Sequence, residues 1–208
     1  MTATHGHDRA SPLPSAITYI CCGVLQQEVE SLQETGVICG EAVYPESMLH
    51  LAPNQLYRKL DRLLHEINTP CILVYGTCCY GIHELAEQTG TPRVDATNCS
   101  EMLLGRTRYR EMLREGAFFL LPEWAHRWHE VFQKQLGLSR TIAREMMQQS
   151  HSVLVYLDTG LAPIPYQELR ACTEYLGLPY RVIEVGIDHL ANTIVDAADR
   201  LPGQSALA

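Results

Sequence analysis

Short apolar runs without polar alternation recur along the 208-residue chain and leave few folds open to it. The clearest are 16–22 (AITYICC), 71–77 (CILVYGT), 117–121 (AFFLL), 152–158 (SVLVYLD) and 180–186 (YRVIEVG); 37–43 and the short 92–96 are weaker. A strand with one face in water alternates apolar and polar residues, whereas a strand covered on both faces does not. Helical patterns stand between these runs. In 53–67, Leu56, Leu60, Leu63, Leu64 and Ile67 fall on one face, and Pro53 suits the first turn. Further helices are expected over 100–113, 124–135, 140–149, 165–175 and 189–200. The alternation predicts a single-domain α/β fold, with a wound, mostly parallel sheet flanked by helices. That domain is expected over 15–202, between polar tails at 1–14 and 203–208.

Apolar residues make up 46% of the chain and charged residues 19%, a globular balance rather than a disordered one. Sixteen basic against 24 acidic residues leave a net charge of −8. Such a chain is poorly suited to track phosphates, so no nucleic-acid partner is expected. No run of about 18 apolar residues suggests a membrane partner. The first residues lack the apolar stretch of a signal peptide, so the expected location is cytoplasmic.

The unusual feature is eight cysteines: Cys21, Cys22, Cys39, Cys71, Cys78, Cys79, Cys99 and Cys172. In a reducing compartment, metal binding or thiol chemistry is a better expectation than a disulfide framework. Cys39, Cys71 and Cys172 read as small core residues. The others share a context. Cys21 and Cys22 close the first apolar run before Gly23, and Cys78 and Cys79 close the third before Gly81. Cys99 opens a helix after Val94 and Asp95. Ligands of open α/β sheets gather at the carboxyl ends of strands, so these positions are expected to converge there. A helix N-terminus also favours thiolate, the form that binds metal and attacks electrophiles. Three sulfurs with an open position suit zinc or an iron–sulfur cluster, and His50 is a candidate nitrogen ligand. No C-x-x-C pair is present, so the local zinc signature is missing.

Other residues carry weaker expectations. His83, close behind Cys78, is a candidate proton donor. Arg93 is expected to pair with Asp95 or to hold an anionic substrate or cofactor. Asp158, in Asp-Thr-Gly at a strand end, orients a ligand or caps the turn. His126 and His129, three apart, are expected on one helix face. Whether Cys21 and Cys79 join the site stays open.

On these residues the chain resembles the domain-of-unknown-function family 1638, from about Tyr19 to Gly160. Ile20-Cys21-Cys22-Gly23 looks like the family's opening Cys-Gly element, and His50, Pro53 and Leu56 like its His-x-x-Pro-x-x-Leu. Val74-Tyr75-Gly76-Thr77-Cys78 looks like its Tyr-Gly-x-Cys-Gly. Pro92-Arg93-Val94-Asp95 through Cys99 and Leu103-Leu104-Gly105 looks like its Pro-Arg…Asp-Cys…Leu-Gly. Tyr109, Trp124 and Asp158-Thr159-Gly160 also fit. Cys79 stands where the family usually has glycine, and Pro122-Glu123-Trp124 where it has Gly-Trp, which marks a divergent member. The resemblance implies Cys22, Cys78, Cys99 and His50 as the shared polar positions. Some relatives are encoded near corrinoid methyltransferases, which implies corrinoid or one-carbon chemistry and a methyltransferase or corrinoid-protein partner. The functions to be weighed are a metal-binding protein or metalloenzyme, a metal-free enzyme with Cys78 or Cys79 as nucleophile, and a non-catalytic carrier or chaperone of a cofactor.

Overall fold

The computed structural model describes residues 17–201; the expected tails at 1–14 and 203–208 lie outside the described residues. The first half runs β1 (Thr18–Cys21), α1 (Gln26–Glu34), β2 (Glu41–Val43), α2 (Pro53–Glu66), β3 (Cys71–Val74) and α3 (Ile82–Thr89). Next come α4 (Cys99–Leu104), α5 (Arg106–Arg114), β4 (Ala117–Leu120), α6 (Pro122–His126) and α7 (Arg140–Ser150). The chain closes with β5 (Val153–Asp158), α8 (Tyr166–Leu176), β6 (Tyr180–Glu184) and α9 (Asp188–Ala198).

The α/β fold expected from the apolar runs is present, and every strand pairing is parallel. The strands form two three-stranded sheets, ordered β2-β1-β3 and β4-β5-β6, where one wound sheet was expected. The chain between β3 and β4 is spent on three helices, and β4 pairs with β5 alone. β1 and β3 are buried at every position, as runs covered on both faces require. One buried cluster draws on both sheets, joining Ile20 and Leu73 to Val155, Leu157 and Ile194. A second, with Trp128, Phe132, Leu154 and Leu169, is built on β5 and the helices around it.

Three local expectations change. Residues 92–96 form no strand: Leu73 bridges Arg93 alone, because Pro92 has no N–H to extend the ladder. The helix expected over 100–113 is two helices, broken at Gly105, whose φ of 75° ends α4. A β-carbon there would also stand 3.0 Å from the His189 ring. The helix expected over 124–135 is α6 followed by a π-helical turn, Glu130–Gln135. That break parts the two histidines: His126 lines a surface cleft, and His129 lies against Trp128. Cys71 and Cys172 are core residues as expected, but Cys39 is exposed, because it lies ahead of edge strand β2.

Candidate functional site

The β1–β3 register sets the site. Cys21 pairs with Val74, so both strands end at one level, and the turns that follow leave the same sheet edge. The Cys22 amide still donates to Val74 O at 3.4 Å, which fixes the first thiol beside the turn that carries Cys78. Two glycines then bring in the remaining segments. Gly23 donates to Pro45 O at 3.1 Å, and a β-carbon on it would stand 2.9 Å from that oxygen. The contact seats the 3-10 turn Ser47–Leu51, which carries His50. A β-carbon on Gly76 would stand 2.2 Å from Thr97 O. With the Thr77 amide bonded to the same carbonyl at 2.8 Å, this holds the Cys78 turn against the segment leading to Cys99. Cys99 is the first residue of α4, whose N-cap Asn98 accepts from the Glu101 amide at 3.0 Å.

Cys22, Cys78, Cys99 and His50 therefore line one cavity of about 230 Å³. Asn98 and Ser100 complete that polar side. The opposite wall is apolar and aromatic, with Val24, Ala117, Phe118, Phe119, Leu121 and Trp124. The His50 ring meets Trp124 edge-on at 5.4 Å. Hydrogen bonding to the Cys99 thiol, aided by the Val24 amide, lowers Cys22 below the ordinary thiol value despite burial. The same interaction, then burial, holds Cys99 well above it. Burial, then the neighbouring Cys22, pushes Cys78 up to about 12. Partial loss of solvent around its ring lowers His50, although the residue as a whole is exposed. The neutral form of an imidazole is the one that donates a lone pair to a metal.

Cys21 and Cys79 belong to the packed core and do not line the cavity, since neighbours along an extended chain face opposite ways. The Cys21 thiol is pushed well up by burial. His83 is exposed and sits 3.3 Å from Glu87, away from the cavity lining. Arg93 donates to Tyr75 O at 3.0 Å and Ala96 O at 3.3 Å, so it braces the two thiol-bearing segments from behind. Its expected partner Asp95 is held instead by Arg106 at 3.0 Å. Asp158 accepts from the Gly160 amide at 2.9 Å, which is the turn-capping role.

The aromatic wall carries no signal in the sequence pattern that would tie it to the thiols, and neither does buried Glu28, outside the cavity lining, which accepts from Thr159 at 3.0 Å. Asn98 was findable: Asn98 followed by Glu101 three residues later is a helix-start signature.

The donor set fits a thiophilic metal: three soft sulfurs, one imidazole and no charged side chain among the lining residues. Among the described residues, no three His, Cys, Asp or Glu side chains stand close enough together, as they are placed, to hold a metal ion. Cys22 and Cys99 are buried, whereas Cys78 is half-buried on a turn and His50 is exposed on a 3-10 turn.

A family model described as "Protein of unknown function (DUF1638)" matches residues 44–194. The chain belongs to this family. His50, Cys78, Cys99 and Trp124 lie inside the part matched to DUF1638, while Cys22 lies before it and is brought in by the β1–β3 pairing. No curated protein and no solved structure matches the chain.

Proposed function

We propose that the protein binds a metal ion, zinc or iron, or an iron–sulfur cluster through Cys22, Cys78 and Cys99. His50 or a substrate atom takes the remaining position. The observation that supports this is the convergence of three thiols and one imidazole, from four separate segments, on one cavity. A metal held there supplies Lewis-acid or redox chemistry when bound. The residues around it fix the ligands: Asn98 caps the helix that presents Cys99, Arg93 braces the Cys78 turn, and Trp124 supports the His50 ring. A reducing cytoplasm suits eight free cysteines. Among the described residues no helix is long and apolar enough to cross a membrane. The cavity is smaller than the roughly 300–1,000 Å³ of drug-sized ligand sites. A corrinoid would therefore meet this site from outside, carried by a methyltransferase or corrinoid-protein partner.

Anaerobic titration with cobalt(II), followed by zinc displacement, tests the reading. Wild-type protein is expected to bind one equivalent with a sulfur-to-metal absorption band. Cys22→Ala, Cys78→Ala and Cys99→Ala should each abolish that band, and His50→Ala should weaken uptake by roughly 10- to 100-fold. Uptake that survives all three cysteine variants would sink the proposal.

The lowered Cys22 thiol favours a second reading, a metal-free thiol nucleophile. It differs from the notion of Cys78 or Cys79 as attacking sulfur, because both of those are raised by burial. On this reading Cys22 alkylates first as pH rises, and Cys99→Ala moves its rate profile to higher pH. Uniform slow alkylation of all thiols would remove this alternative.

A further inference from the structure

The wall facing the thiols states what kind of molecule can reach them. Among the twelve residues lining the cavity there is no Asp, Glu, Lys or Arg. An organic ion entering would leave water without gaining a counter-charge from Asp, Glu, Lys or Arg, which is strongly unfavourable. A metal ion differs, because the thiols release their protons and bond to it. The apolar side, with Val24, Phe119, Leu121 and Trp124, instead rewards an uncharged, mostly hydrocarbon body. At about 230 Å³ the cavity is somewhat larger than the roughly 150 Å³ space that accommodates benzene. A single six-membered ring or its open-chain equivalent fits, and a nucleotide or macrocycle does not.

One polar atom sharpens this. Three buried side-chain polar atoms among the described residues lack a partner: Glu123 Oε2, Trp124 Nε1 and Arg144 Nε. Of these residues only Trp124 lines the cavity. Because its Nε1 is out of reach of water, the half-buried ring must turn to present the N–H to a ligand. A buried donor without an acceptor is costly and marks a place where a further group belongs. The other tryptophan, Trp128, has its Nε1 satisfied by Glu168 at 3.1 Å.

From this we infer that the substrate or ligand of the thiol cavity is a small uncharged molecule, about one ring in size and largely apolar. It carries a single hydrogen-bond acceptor that pairs with the Trp124 indole N–H. The inference rests on the cavity being the functional site, but binding of the organic body needs no metal. The two ideas can therefore fail separately.

The test uses reduced, metal-free full-length protein labelled with nitrogen-15 at the tryptophan indoles. Four probes of one size are titrated: cyclohexanone, methylcyclohexane, cyclohexanecarboxylate and cyclohexylammonium. Cyclohexanone is expected to shift the Trp124 indole resonance saturably and to leave that of Trp128 in place. Ligand-observed titration should find both ions at least about tenfold weaker than the ketone, as an unpaired buried charge requires. The ketone should exceed methylcyclohexane by about two- to tenfold, the range of one net hydrogen bond. Trp124→Phe should erase that last difference while still binding methylcyclohexane. Ions that bind as tightly as the ketone, or no saturable shift with any probe, would overturn the inference. Cobalt(II) uptake on the same preparations reports the metal reading independently.

Discussion

Glu28 and Glu101 are the two acidic side chains taken almost wholly out of water among the described residues, and their partners give them opposite behaviour. Burial pushes Glu101 up, but Thr97 and Arg106 outweigh it and hold the carboxyl below its ordinary value. Burial raises Glu28, and its own amide and the Thr159 hydroxyl oppose this only in part. The consequence is a pH dependence of stability. Below the ordinary carboxyl range both folded and unfolded Glu28 are protonated, and the full stability is present. As pH rises, the unfolded chain gives up the proton first, so stability falls until the folded carboxyl ionises, and is flat above. Glu28→Gln should remove this fall, keep the acceptor for Thr159, and leave a protein more stable than wild type at pH 8 but not at pH 4. Urea midpoints at the two pH values check it, and equal midpoints for the two proteins at pH 8 would refute it. None of this was legible in QQEVESLQE, where Glu28 reads as one more polar residue, because its partner lies 131 positions away. Cys22, Cys78 and Cys99 were legible for the opposite reason. Each stands where an apolar run ends or a helix begins, which sequence spacing does report.

The turns and helix starts that carry these thiols depend on contacts between backbones. A β-carbon on Gly76 would lie 2.2 Å from a carbonyl oxygen and 2.6 Å from the Cα of Asn98, so neither neighbour has a flexible end to move. Gly76→Ala must separate the Cys78 turn from the Cys99 helix. It is expected to cost about 1–3 kcal/mol and to lower cobalt(II) affinity beyond what the loss of stability explains. Gly186→Ala is the control, because its nearest new contact is the Asp188 side chain at 3.4 Å. It should stay within about 0.5 kcal/mol with unchanged uptake. Denaturant midpoints and metal titration on both variants decide the matter. The glycine itself was visible in Tyr-Gly-Thr-Cys-Cys, but its neighbour Thr97 was not. Helices with local start and stop chemistry were read well, as with α2 after Pro53. The failures came where a tertiary contact interrupts a good pattern. Gly105 splits α4 from α5 beside His189, and Arg127, bonded to Glu46, Glu123 and Glu130, stands where α6 ends.

The cavity draws its thiols from the first sheet's half of the chain and its aromatic wall from β4 and α6. The same two halves are tied by Ser47 to Glu123 at 2.8 Å, by Thr159 to Glu28 at 3.0 Å, and by the shared apolar cluster. A metal here would join segments that the unfolded chain keeps far apart, Cys22 to Cys99 among them. The unfolded chain would then bind it weakly, and folded protein would gain stability by mass action. At free zinc about 100 times the dissociation constant the gain is about 2.7 kcal/mol. In a chain of this length that corresponds to a rise in Tm of roughly 5–10 °C. Calorimetric scans of reduced protein should show the midpoint climbing with zinc concentration, and Cys22→Ala and Cys99→Ala should be insensitive to it. Cys172→Ala serves as the counter-test. Its thiol is fully buried in the second cluster, so that variant should melt lower at every zinc concentration yet keep the same zinc-dependent rise. A rise retained in Cys22→Ala, or lost in Cys172→Ala, would mean that zinc acts on the core thiols or on the surface and not across the two sheets.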